Sequence, residues 1–140
     1  MDLMAEKLNN EWYSSLPRRG AVYDLTSAAL SGPSPEGRLQ AVVMLGKSDD
    51  PRAVRPLMDL LADSDKAIRG AAAVALGQLK SGRSVEALLE RLRDRSEEAE
   101  IRNLAIMALA TIRSTGALRG LREFAAETDG VALSIAAVVD

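Results

Sequence analysis

Neither cysteine nor histidine occurs among the 140 residues. Without thiols there is no disulfide framework and no thiol nucleophile, and without imidazole there is no zinc site of the usual Cys/His kind and no histidine acid–base catalyst. Aromatic residues are almost as scarce: Trp12, Tyr13, Tyr23 and Phe124 are the whole complement. Charge of one sign is missing too, because 18 Lys and Arg face 20 Asp and Glu for a net charge of −2. A balanced field of this kind gives no pull toward nucleic acid, so nucleic-acid binding is not expected. The most apolar run, Val131 to Val139, is about half the roughly 20 residues that a membrane span needs. The opening Met1-Asp2-Leu3-Met4-Ala5-Glu6-Lys7 is too charged for the apolar part of a secretory leader. A cytoplasmic protein without a membrane anchor or a cofactor is the expectation.

Alanine and leucine dominate what is present, and they are arranged as a repeat. Arg38-Leu39-Gln40-Ala41-Val42-Val43-Met44-Leu45-Gly46 returns 31 residues later as Arg69-Gly70-Ala71-Ala72-Ala73-Val74-Ala75-Leu76-Gly77. After 33 more residues it returns as Arg102-Asn103-Leu104-Ala105-Ile106-Met107-Ala108-Leu109-Ala110. Self-similarity at this period marks a solenoid, in which each unit buries its apolar face against its neighbours. Between these A segments runs a second pattern, B. Val54, Leu57, Met58 and Leu61 fall at i, i+3, i+4 and i+7, one stripe of a helix. Val85, Leu88, Leu89 and Leu92 repeat it, then Leu118, Leu121 and Ala125, while Val22, Leu25 and Ala29 make a weaker upstream copy.

Punctuation places the ends of these helices. Ser34-Pro35-Glu36 and Asp63-Ser64-Asp65 supply N-caps, and Asp49-Asp50-Pro51 turns the chain into a B helix whose first turn accommodates Pro56. The pattern predicts A helices over residues 35–46, 66–78, 99–112 and 130–139, and B helices over 20–31, 53–62, 84–94 and 116–127. The two extra residues of the third unit fall in the turn between residues 94 and 100, where they leave the stack undisturbed. The fold expected is all-α, a right-handed α-α superhelix. Residues 1–19, with Trp12 and Leu16, would form a degenerate N-terminal cap, and residues 20–140 the repeat domain.

The run from Asp63 to Gly77 resembles the start of a HEAT repeat, and Asp50 to Leu61 resembles the second half of the short prokaryotic, phycobilisome-lyase-type variety. The likeness covers about residues 20–139. It implies an Asp–Arg ladder between units and a concave side lined by B helices. Proteins of this kind include scaffolds, regulatory subunits, bilin lyases and deoxyhypusine hydroxylase. The hydroxylase site resembles paired His-Glu motifs, which a chain without histidine cannot supply.

Several residue sets stand out. Arg38, Arg69 and Arg102 occupy one repeat position early in the A helices, where the helix dipole disfavours a cation unless acids compensate it. Asp63, Asp65, Asp94 and Glu98 are the acids available in adjacent turns. Gly46, Gly77 and Ala110 coincide as sites of close helix contact or of a relaxed helix end. On the B helices Arg55, Glu86 and Arg119 share one position and Asp59, Glu90 and Glu123 share another, with Arg52 and Arg83 extending the charge toward the turns. Exposed pairs such as Arg55–Asp59 contribute only about 0.3–0.5 kcal/mol. Local stability therefore explains these rows poorly, and the simplest competing account is a solvated face. As a catalytic or metal-binding set, Asp59, Glu90 and Glu123 lack a companion group and sit among arginines.

The function expected is a scaffold, adaptor or regulatory subunit that binds another protein or peptide, without enzymatic activity of its own. The alternative is an enzyme accessory subunit or a bilin-lyase-like protein. A monomer is expected ahead of a homodimer formed through the C-terminal edge at Ile135, Val138 and Val139.

Overall fold

A computed structural model describes residues 19–128. The expected capping segment with Trp12 and Leu16, and the fourth A pattern at residues 130–139, lie outside the described residues. Within them the chain forms α1 (Arg19–Ser31), α2 (Pro35–Lys47), α3 (Val54–Leu60), α4 (Lys66–Leu79), α5 (Val85–Arg93), α6 (Ala99–Ile112) and α7 (Thr115–Glu127), with no strand among the described residues. Helices α2, α4 and α6 are the A segments and stack on one another in sequence order, while α1, α3, α5 and α7 are the B segments of a second layer. The result is an α-solenoid. The B helices α3 and α5 are shorter than the apolar pattern implied, because each is entered through a 3₁₀ turn, at Pro51–Ala53 and Gly82–Ser84.

One apolar position per helix carries the stacking. Leu45, Leu76 and Leu109 are fully buried on successive A helices, and Leu57, Leu88 and Leu121 are fully buried on the B helices that follow them. Burying each such leucine contributes about 1.5–3 kcal/mol. Small residues let the A helices approach until their backbones meet. A Cβ added at Gly46 would lie 2.8 Å from the Ala75 Cα, and one at Gly77 would lie 2.9 Å from the Ala108 Cα. Of the two roles expected for these glycines, close helix contact is the one seen.

The caps follow the punctuation. Ser34 accepts a hydrogen bond from the Gly37 N–H with Pro35 at the first helical position, Asp65 accepts from the Ala67 N–H, and Asp50 accepts from the Arg52 N–H. At the other end of the A helices the chain leaves through a left-handed residue that is never glycine: Asp49 (φ 53°), Lys80 (φ 52°) and Arg113 (φ 56°). They stand at equivalent repeat positions, and Lys80 donates its backbone N–H to the Gly77 carbonyl. A side chain in this conformation costs roughly 1–2 kcal/mol, offset in part by the larger entropy glycine loses on folding. Lys80→Gly is therefore expected to stabilise the fold by about 0.5–1 kcal/mol and raise the melting temperature by about 2–4 °C. Lys80→Ala should leave it nearly unchanged. A calorimetric scan in which the glycine variant melts lower than wild type would contradict this.

Candidate protein-binding surface

All eight charged residues singled out on the B segments reach solvent. Arg52, Arg55 and Asp59 lie in or just before α3, Arg83, Glu86 and Glu90 in or just before α5, and Arg119 and Glu123 on α7, every one exposed. Each faces outward because the buried stripe of its helix occupies the opposite side, at Leu57, Leu88 and Leu121. Two of the eight are engaged. Arg52 forms a fork on the Asp50 carboxylate, with Nε 3.0 Å from Oδ1 and Nη2 2.6 Å from Oδ2. Glu123 lies 3.5 Å from Arg93 on the preceding B helix. Arg55, Asp59, Arg83, Glu86, Glu90 and Arg119 form no ion pair among the described residues, so Arg55 and Asp59 do not close the i,i+4 contact their spacing allows.

The repeated arginines at the head of the A helices do something different. Arg38 donates from Nε to the Ala29 carbonyl of α1 at 2.9 Å and pairs through Nη2 with Asp63, in the turn before α4. Arg69 donates to the Asp63 carbonyl at 2.8 Å and to that of Ser64 at 3.2 Å, and it holds Glu97 with both nitrogens, at 2.8 and 2.9 Å. Each arginine thus ties carbonyls that precede its own helix (the end of α1 for Arg38, the turn before α4 for Arg69) to an acid in the turn after the next helix. Asp63 is one of the acids expected. In the third unit, however, Glu97 takes the role rather than Asp94 or Glu98, because the two inserted residues push Asp94 away from Arg69. Asp94 instead receives Arg91 at 2.5 Å and the Ser96 backbone and hydroxyl. Glu98 pairs with Lys66 at 3.3 Å, and Asp65 is a cap.

Burial pushes the carboxyls of Asp63 and Glu97 up, but their arginine hydrogen bonds, a backbone N–H and the nearby guanidinium charges outweigh it. Both sit below the usual carboxylate range. Arg91 was not anticipated. It stands where α3 has Leu60 and α7 has Phe124, and it donates to the Leu61 carbonyl at 2.7 Å. Its Nε lies 3.4 Å from Glu97 without hydrogen-bond alignment. Arg102, the third of the series, has a buried Nε without a hydrogen-bond partner among the described residues, which end at Thr128.

A second surface also escaped the reading of the sequence. Val43, Val74 and Met107 share one repeat position on the outer side of the A layer and are 40%, 41% and 62% exposed. Met44 beside them is 49% exposed. Alanine-rich A helices are apolar on nearly every side, so the outward row is hidden within the core pattern.

The chemistry these surfaces offer is recognition. An open polar hollow of 260 Å³ is lined by Asp63, Arg69, Arg91, Asp94 and Glu97, whose charges are turned on one another as described. No group of three acidic residues that could hold a metal ion occurs among the described residues. No helix there is long and apolar enough to cross a membrane. Compared with protein families, residues 23–102 match HEAT repeats. That match reaches the family and does not separate out its short prokaryotic variety. No curated protein matches the chain significantly.

Proposed function

The chain belongs to the HEAT-repeat family, whose members are commonly protein-interaction scaffolds, and we propose that it acts as a scaffold, adaptor or regulatory subunit docking another protein on its B-helix surface. The observation that carries this is the pair of charged rows. Arg55, Glu86 and Arg119 in one row and Asp59, Glu90 and Glu123 in the other are exposed on three successive B helices, and most of them lack an ion partner among the described residues. Rim charges of this kind select partners and speed encounter more than they stabilise a fold. Repeat stacking presents them over an extended surface, which suits a protein or peptide better than a small metabolite. Family membership leans the same way against the enzyme-accessory or lyase-like alternative, since HEAT repeats are typically non-enzymatic.

The test is affinity capture from the source cells with wild-type protein and a variant carrying Arg55→Glu and Arg119→Glu. Loss of one specific partner, with an unchanged melting curve, is the expected result. Recovery of an identical partner set removes the B-helix rows as the binding site.

A further inference from the structure

The outer side of the A layer holds a groove between α4 and α6, made of two hollows in line. One, of 220 Å³, lies over Gly70 and Ala71 of α4 and Ile101 of α6. The other, of 160 Å³, lies over Gly77 of α4 and Ala108 of α6 and is flanked by the exposed Met107. Val74 and Leu104 line both and form the low ridge between them. The floor is the seam where the two helices close on each other: a Cβ added at Gly77 would meet the Ala108 Cα at 2.9 Å, and one at Gly70 would meet the Leu104 side chain at 3.1 Å. Gly70 and Gly77 are seven residues apart, so the hollows are separated by about 10.5 Å along the helix. That is the rise between residues i and i+7 of a second helix laid in the groove, with i+3 or i+4 seated on the ridge.

The two ends differ in charge. Lys66, Glu98 and Glu100 rim the first hollow. Lys66 pairs with Glu98, which leaves the Glu100 charge uncompensated within that group. At the other end the exposed Lys80 follows two residues after Gln78, which lines the second hollow. An ordinary helix carries acids in its first turn and bases in its last. Laid antiparallel to α4 and α6, it brings acid to Lys80 and base to Glu100, and its dipole opposes theirs.

We propose that this groove docks one amphipathic helix of a partner protein, antiparallel to α4 and α6, with apolar anchors at i and i+7, an acidic first turn and a basic last turn. This rests on the interaction-module reading but uses the layer opposite the charged rows, so either surface can fail alone.

The probe is a fluorescein-labelled, side-chain-stapled peptide of about 16 residues, long enough to cover the groove, with leucines at i, i+4 and i+7, glutamates first and lysines last. Anisotropy titrations use the wild-type protein, Met107→Glu, the polarity variant Glu100→Lys with Lys80→Glu, and Arg55→Glu with Arg119→Glu. Wild type is expected to saturate at micromolar concentration, Met107→Glu to bind about tenfold more weakly, and the polarity variant about threefold to tenfold more weakly. The B-helix variant should bind as wild type does. Circular dichroism melts should be alike for Met107→Glu and the B-helix variant, since those residues are exposed. The polarity variant should melt slightly lower, because it sets a cation in the first turn of α6 and an anion at the end of α4 while leaving both helices folded. No saturation by about 1 mM, the limit of even weak specific binding, overturns the proposal. So does equal binding by Met107→Glu, or a polarity variant that binds like wild type. A protein dimer in sedimentation equilibrium that Met107→Glu disperses also overturns it, because the occupant is then a second copy.

Discussion

Leu76→Asp is expected to destroy cooperative thermal unfolding. Leu76 is fully buried on α4, the A helix that packs against both α2 and α6 as well as α3. Leu45 and Leu109 hold the same position on the helices to either side and are equally buried. Truncating a buried leucine alone costs about 2–5 kcal/mol, and a carboxylate placed there must be ionised without a partner or carry its proton. The total is on the order of 5 kcal/mol, comparable with the whole stability of many domains. Because the central unit is lost, its neighbours lose their packing surface too. Val74→Asp, two residues earlier on the exposed row, is the control and should cost less than about 1 kcal/mol. Circular dichroism melts read both. A cooperative Leu76→Asp transition at the wild-type temperature would mean that the A helices do not stack as described.

Glu97→Gln should be the next most damaging change, because its carboxylate is the meeting point of two arginines. Its side chain is 1% exposed, and Arg69 and Arg91 are each 17% exposed. Glutamine keeps the shape but leaves both guanidiniums in a partly buried site without that counter-charge, at a cost of about 2–4 kcal/mol. The pH dependence follows from the folded-state carboxyl lying below its ordinary value. A depressed pKa means the unfolded chain takes up the proton first. The stabilisation is therefore complete above the ordinary glutamate range, near pH 4.3, and is lost as pH falls through the folded value. Asp63, depressed for the same reason, loses its share over the neighbouring range. Urea midpoints from about pH 7 to pH 3 should fall for wild type and fall less steeply for Glu97→Gln. Parallel curves would show that the Glu97 carboxylate contributes nothing to the fold.

The helices were legible because two periodicities coincide, the helical stripe within segments and the recurrence of the stripe between them. Start and stop signals then placed most helix ends to within a residue or two. The small overshoot at α3 and α5 has a cause: Asp50 and Ser81 cap a tight 3₁₀ turn first, which apolar spacing cannot distinguish from a helix. The Arg38 and Arg69 clasps were legible in kind and only partly in detail. Asp63 was among the acids expected, but in the longer third turn the partner of Arg69 is Glu97, which was not among them. Arg91 was visible only as an arginine at a position where other units have Leu60 and Phe124, outside the stripe used to define the helix. The exposed row of Val43, Val74 and Met107 was hidden by the alanine-rich pattern itself. When most sides of a helix are apolar, periodicity no longer says which side meets solvent.

The arginine clasp also bears on how such a chain can grow. The Arg38 and Arg69 clasps each refer only to carbonyls just behind their helix and one acid ahead, so their requirements are local. A duplicated segment that brings its own arginine and its own acidic turn fits between existing copies without altering either. The turn tolerates added residues as long as one acid can still extend to the guanidinium, as the exchange of Asp63 for Glu97 across a longer turn illustrates. What such a duplication has to keep is the joint between copies, and the outer faces of each copy are left at liberty to diverge.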